Sequence, residues 1–121
     1  MITNLDHVNI DTDDLDATVA FYEGALKLVS GPKPSGNPGM WMFIDDKAVV
    51  HINIIEPGAE NTAGKLNHIA FDATDLDETT SALEAASVEY EVFQRPDLAI
   101  TQVRCVDPNG IPVEINIATE F

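Results

Sequence analysis

The sequence predicts an α+β fold made of two tandem βαβββ modules. Three observations carry that reading. Residues 5–27 and 66–88 match at nine of 23 positions under a shift of 61, where chance gives roughly one or two. VHINI at 50–54 recurs as VEINI at 113–117. Each copy also runs from a short alternating stretch into a helix-period stretch and then into three strand-like stretches. The expected organisation is a single domain over 1–121, with module one about 1–60 and module two about 61–121.

The elements follow in order. LDHVNI (5–10) alternates and is short, which predicts a strand. Asp14 stands where a helix N-cap is wanted, and Leu15, Val19, Tyr22 and Leu26 then share one helical face. Strands are expected near 27–30, at 40–45 (MWMFID) and at 48–55 (AVVHINII), with Asp45-Asp46 as the turn between the last two. Residues 30–39, SGPKPSGNPG, are too rich in Gly and Pro for regular structure. In module two, LNHIAF (66–71) is the opening strand. Asp75, with Glu78 three residues on, has capping-box spacing. A weaker helical face follows with Leu76, Thr79, Leu83 and Ala86. Strands are expected near 88–94, 99–106 and 111–118, and DPNG at 107–110 is a hairpin turn because Pro presets φ and Gly accepts φ > 0.

Charge narrows the function classes. Six basic residues against 21 acidic give a net −15. The excess is spread over the chain, −7 in residues 1–60 and −8 in residues 61–121. With no basic stripe, nucleic acid is not an expected partner, nor is an anionic membrane surface. No apolar run approaches the ~20 residues of a membrane span, and the N-terminus lacks a signal-like block. The single cysteine, Cys105, allows no internal disulfide. It reads as a buried, inert thiol, with the adjacent Arg104 on the opposite strand face. The expected compartment is the cytoplasm. The acidic field favours a small neutral or weakly acidic oxygenated ligand over a strongly anionic one, although one local arginine could override it.

Strand alternation sorts the candidate site. Val8 and Ile10 point one way and His7 and Asn9 the other; Val50, Ile52 and Ile54 oppose His51 and Asn53. Ile69 and Phe71 likewise oppose His68, and Val113, Ile115 and Ile117 oppose Glu114 and Asn116. Each module therefore has one aliphatic face and one polar face. A lone strand histidine is more often a hydrogen-bonded structural residue. Here all three histidines of the chain fall at repeat-related positions, and Glu114 takes the place of His51. Three imidazoles and a carboxylate on such faces point to a metal site. Asn53 and Asn116 are either groups that orient ligands or polar residues at ladder ends. Trp41 and Phe43 line a pocket or pack the core, and Arg104, in parity with Gln102, reaches the polar face or forms a surface ion pair. Asp6, Asp11, Asp13, Asp14 and Asp16 are explained by capping and solubility.

These residues carry a resemblance. The paired LDHVNI/LNHIAF openings, VHINI, and DPNG followed by VEIN resemble the vicinal oxygen chelate superfamily, which includes glyoxalases, extradiol dioxygenases and bleomycin-resistance proteins. The resemblance spans essentially the whole chain. It implies paired modules curling into a cup around one divalent metal ion: Zn, Ni, Co, Mn or Fe. It places His7, His68 and Glu114 at the three commonest ligand positions and His51 at a fourth, where relatives usually carry Glu or Gln. It also implies a small-molecule substrate and a homodimer, with sites held within a chain or shared between subunits. The 30–39 loop is then expected to be a mobile flap near the cup mouth.

Two chemistries follow. With all four residues on the metal, two coordination sites remain for a substrate with vicinal oxygens. Glu114 is then the leading base for a glyoxalase-type lyase or isomerase passing through an enediolate-like intermediate. With only His7, His68 and Glu114 on the metal, the set is that of an Fe(II) extradiol ring-cleaving dioxygenase, and His51 is an acid–base group. A non-catalytic drug-binding protein is the third class.

Overall fold

The computed structural model describes residues 5, 7–33, 38–58 and 68–121. Asp6, residues 34–37 of the Gly/Pro-rich loop, and Leu66 and Asn67 of the second opening lie outside the described residues. The first module contains β1 (Val8–Thr12), α1 (Leu15–Ala20) continued by a π-helical turn (Phe21–Ala25), β2 (Val29–Gly31), β3 (Gly39–Ile44) and β4 (Lys47–Ile54). The second contains β5 (Ile69–Ala73), α2 (Leu76–Ala85), β6 (Glu91–Arg95), β7 (Ile100–Val106) and β8 (Pro112–Ala118), with a short 3-10 turn before β7.

Two four-stranded sheets result, in the orders β1-β4-β3-β2 and β5-β8-β7-β6. In both, the first strand pairs parallel to the last and the other pairings are antiparallel. The chain is thus α+β with two βαβββ modules, as the repeat predicts. One boundary differs in both copies. β1 starts at Val8 and β5 at Ile69, where their parallel ladders with Val50 and Val113 begin. His7 and His68 therefore sit just before their strands.

The caps are where the sequence puts them. Asp14 accepts from the Ala17 amide at 3.0 Å and Asp75 from the Glu78 amide at 2.9 Å. The first helix departs from regularity: the Leu26 amide bonds the Phe21 carbonyl at 3.4 Å, the i→i+5 pattern of a π turn. That turn carries Phe21 and Tyr22 into the core.

The aliphatic faces of both sheets pack into one core, from Ile10, Met42, Val50 and Ile52 in the first to Val103, Val113, Ile115 and Ile117 in the second. Burial of this apolar surface holds the modules together. A polar clamp adds to it. The Tyr22 hydroxyl donates to Asp107 Oδ2 at 3.1 Å, and Asn109 Nδ2 donates to Thr18 Oγ1 at 3.0 Å. Asp107 Oδ1 accepts the amides of Asn109 and Ile111 at 2.8 and 2.9 Å, so one buried carboxyl shapes the DPNG turn and locks it to the first module. Burial, then the neighbouring Asp107, pushes the Tyr22 phenol above its usual range.

Candidate metal and substrate site

On the first sheet, His51 pairs in register with Trp41 across β3 and β4. The indole and imidazole stack with centroids 4.2 Å apart at 15°. His7 stacks on the other side of His51, at 3.7 Å and 9°. The three rings form a continuous pile. Trp41 Nε1 is buried and meets no hydrogen-bond partner among the described residues. Beside the pile, Asn53 Nδ2 donates to Asn9 Oδ1 at 3.1 Å, and Lys33 Nζ donates to Asn53 Oδ1 at 2.6 Å. Lys33 brings the described flank of the 30–39 segment onto this face. The other flank, Gly39, is irreplaceable: its φ is 154°, and a Cβ there would lie 2.2 Å from the Ile52 carbonyl oxygen.

Trp41 thus belongs to the polar face and not to the core. Phe43, past a register shift between Met42 and Phe43, covers Gly31. A groove between the modules is lined by Phe43 together with Leu28, Phe71 and Ala82; none of His7, His51, His68 and Glu114 lines it.

On the second sheet, His68 Nε2 lies 3.6 Å from Glu114 Oε2. Glu114 is held from behind. Gln102 Nε2 donates to Glu114 Oε2 at 3.1 Å and to Asn116 Oδ1 at 3.0 Å. Arg104 Nε donates to Gln102 Oε1 at 2.7 Å and stands 3.7 Å from Glu114 Oε1. The Arg104 guanidinium also lies over the Phe93 ring, 4.6 Å from its centroid. Arg104 therefore reaches the polar face, and Asn116 supports the carboxylate through Gln102. Gln102, 4% exposed, is the residue that sequence reasoning passed over as only a parity neighbour. The available signal was a polar residue on β7 standing opposite Asn116.

The structure thus brings the candidate residues together as two pairs, His7 with His51 and His68 with Glu114, one pair per sheet. Within one chain and among the described residues, no group of three or more His, Cys, Asp or Glu is placed to hold a metal ion. The donor chemistry suits a divalent transition metal, since imidazole and carboxylate together match that class. Each sheet supplies half of such a set. Cys105 takes no part: it is buried, and burial followed by the nearby Asp107 pushes its thiol up to about 11. Among the described residues, no helix is long and apolar enough to cross a membrane.

The comparisons with known proteins agree with this fold. A family model described as the Glyoxalase/Bleomycin resistance protein/Dioxygenase superfamily matches residues 4–115. A search of curated proteins found no match. Among solved structures, a glyoxalase family protein from Bacillus anthracis is similar with a TM-score of 0.79 and 24% identity, covering 98% of each chain. A glyoxylase/bleomycin resistance protein/dioxygenase domain from a Frankia species gives 0.78 and 16%, covering 98% of this chain and 99% of that one. The fosfomycin resistance protein FosX from Listeria monocytogenes, solved with Mn(II) and 1S,2S-dihydroxypropylphosphonic acid, gives 0.74 and 24%, covering 98% and 93%.

Proposed function

Because the chain belongs to the Glyoxalase/Bleomycin resistance protein/Dioxygenase superfamily, we propose that it is a divalent-metal-dependent lyase or isomerase of the glyoxalase type. Its substrate is a small molecule that chelates through vicinal oxygens, and its compartment is the cytoplasm. The single observation that carries the reading is the pairing of His68 with Glu114, a carboxylate fixed by Gln102 on the same polar face. A structural carboxylate on an open strand face has no need of such support, whereas a ligand or base must be held in one orientation. FosX, a neighbour in fold, was solved with Mn(II), which supports a divalent ion here.

His7, His51, His68 and Glu114 are the residues proposed to hold the ion. One pair is on each sheet, and the working unit we propose is a homodimer in which His7 and His51 of one copy meet His68 and Glu114 of another. β1 and β5 are outer strands of their sheets, so each pair lies at or beside a sheet edge that a second copy can approach. A divalent ion held by these residues would supply Lewis-acid polarisation of a substrate oxygen. Glu114 then moves the proton. Gln102 donates to its Oε2 at 3.1 Å, so the carboxylate is held in one orientation, with Arg104 Nε 3.7 Å from Oε1.

A second reading has its own observation. Ring nitrogens bind metals in the plane of the imidazole, at about 2.0–2.1 Å. His7 and His51 lie in nearly parallel planes with centroids 3.7 Å apart, so one ring must turn before both share an ion. If His51 stays stacked between Trp41 and His7, the ligands are His7, His68 and Glu114, and His51 is an acid–base group. That is the arrangement of an Fe(II) extradiol dioxygenase. A binder without catalysis is the remaining class.

Anaerobic purification with metal analysis, followed by two assays, separates these readings. Bound Ni, Co, Zn or Mn with solvent-deuterium exchange into an α-hydroxy or α-keto compound supports the lyase or isomerase. Bound iron with oxygen uptake on catechols selects the dioxygenase. Protein that retains no metal selects the binder.

A further inference from the structure

The polar face of the second sheet holds a cation that metal binding does not use. Arg104 stands opposite Glu114 in the β7–β8 register. An arginine meant only to neutralise Glu114 would pair with it closely, through two parallel hydrogen bonds. Instead the guanidinium offers Glu114 a single Nε at 3.7 Å, and that Nε is spent on Gln102 at 2.7 Å. Phe93 supports one flat side of the group at 4.6 Å. The Nε edge and one face are thus fixed, and the two Nη groups hydrogen-bond to no described residue. The side chain stays 45% exposed. A planar fork of donors is held in place, aimed away from its own anchors and beside the candidate ligand carboxylate.

The distribution of positive charge points the same way. The chain has six basic residues against 21 acidic. Three of the five described ones lie on the two polar faces: Arg104, Arg95 in alternation with Phe93, and Lys33 through Asn53. Arg95 is engaged by Asp97 at 3.0 Å, and Lys33 by Asn53. Arg104 keeps its outer donors. In a chain of net −15, the long-range field repels anions, so a local fork beside the ligands is the feature able to admit one.

We infer that Arg104 reads a carboxylate on the substrate, so the compound handled here is an anionic vicinal-oxygen chelate and not a neutral one. The inference rests on the proposed site for where the substrate oxygens sit. It reverses the expectation from overall charge, because the nearest cation and not the mean field meets the bound ligand.

Calorimetric titration of the full chain with catechol, 2,3-dihydroxybenzoate and 3,4-dihydroxybenzoate tests it. The three probes share vicinal oxygens, and the two acids place a carboxylate at different distances. Titrations are run under argon, with and without Mn(II), and Mn(II) retention is measured separately. At least one acid is expected to bind about tenfold tighter than catechol, the size of one charge-assisted hydrogen-bonded contact. Arg104→Gln should erase that difference, and Arg104→Lys should keep part of it, both with unchanged melting temperature. Acids that bind no tighter than catechol overturn the inference, as does a preference that survives in Arg104→Gln. A chain that retains no Mn(II) yet shows the Arg104-dependent preference sinks the metal reading and upholds this one.

Discussion

The two modules share a scaffold and differ in how they hold their polar faces. In the first, His51 is fixed by flat contact between Trp41 and His7. In the second, Glu114 is fixed by donors, Gln102 directly and Arg104 through it. Stacking sets the tilt of a ring but does not itself choose the partners of its nitrogens. Hydrogen bonds set both the position and the orientation of a carboxylate. The repeat has thus kept the strands and divided the chemistry, with two stacked imidazoles on one sheet and one imidazole beside a supported carboxylate on the other. The helices differ too. α2 is regular, whereas α1 widens into a π turn that brings Tyr22 to Asp107.

The largest expected effect breaks the link between the modules. Asp107→Ala removes two turn hydrogen bonds and strands the buried Tyr22 hydroxyl, and should destabilise the chain by about 3 kcal/mol in urea unfolding. Tyr22→Phe keeps the turn bonds and should cost about 1 kcal/mol. Equal losses would mean that the turn, and not the clamp, is incidental.

Glu114→Gln should weaken Mn(II) binding on the order of 100-fold, measured by competition with a chelator, because it removes the charged member of the proposed ligand set. Gln102→Leu leaves that ligand present but unsupported and should weaken it about tenfold. Trp41→Leu removes only a stacking contact, worth about 1 kcal/mol or roughly fivefold. A larger loss from Trp41→Leu than from Gln102→Leu would reverse the contrast drawn between the two faces.

The smallest effect concerns alkaline pH. Burial raises the Cys105 thiol to about 11 and the Tyr22 phenol above its usual range. The unfolded chain therefore loses these protons first as pH rises. Stability from these groups is complete below the ordinary thiol range and declines as pH climbs toward 11. Cys105→Ala should flatten the early part of that decline in urea midpoints, and an unchanged slope would contradict it.

Much of this was legible in the sequence, for a physical reason. Strand and helix periods, the Asp14 and Asp75 caps and the DPNG turn are local, and alternation assigned His51 and Glu114 to polar faces, while it left Arg104 between the polar face and a surface ion pair. What was not legible depends on register and distance. That Trp41 meets His51 follows from the β3–β4 pairing, and that Gln102 bridges Glu114 and Asn116 follows from β7–β8. The Tyr22–Asp107 bond spans 85 residues. The π turn has no signature in a pattern that reads as an ordinary amphipathic helix at Leu15, Val19, Tyr22 and Leu26. Strand onset was set by the parallel partner and not by the alternating run, which is why His7 and His68 fall one residue outside.

The proposed shared site needs one module from each of two copies. Mixing His7→Ala protein with Glu114→Ala protein under exchange, then counting tightly bound Mn(II) per dimer, reads this out. Each variant alone should bind none, wild type two, and the isolated heterodimer one, since one of its two sites draws both halves from unaltered modules. A heterodimer that forms but binds no metal would contradict the shared site, and so would a monomer that binds one full equivalent.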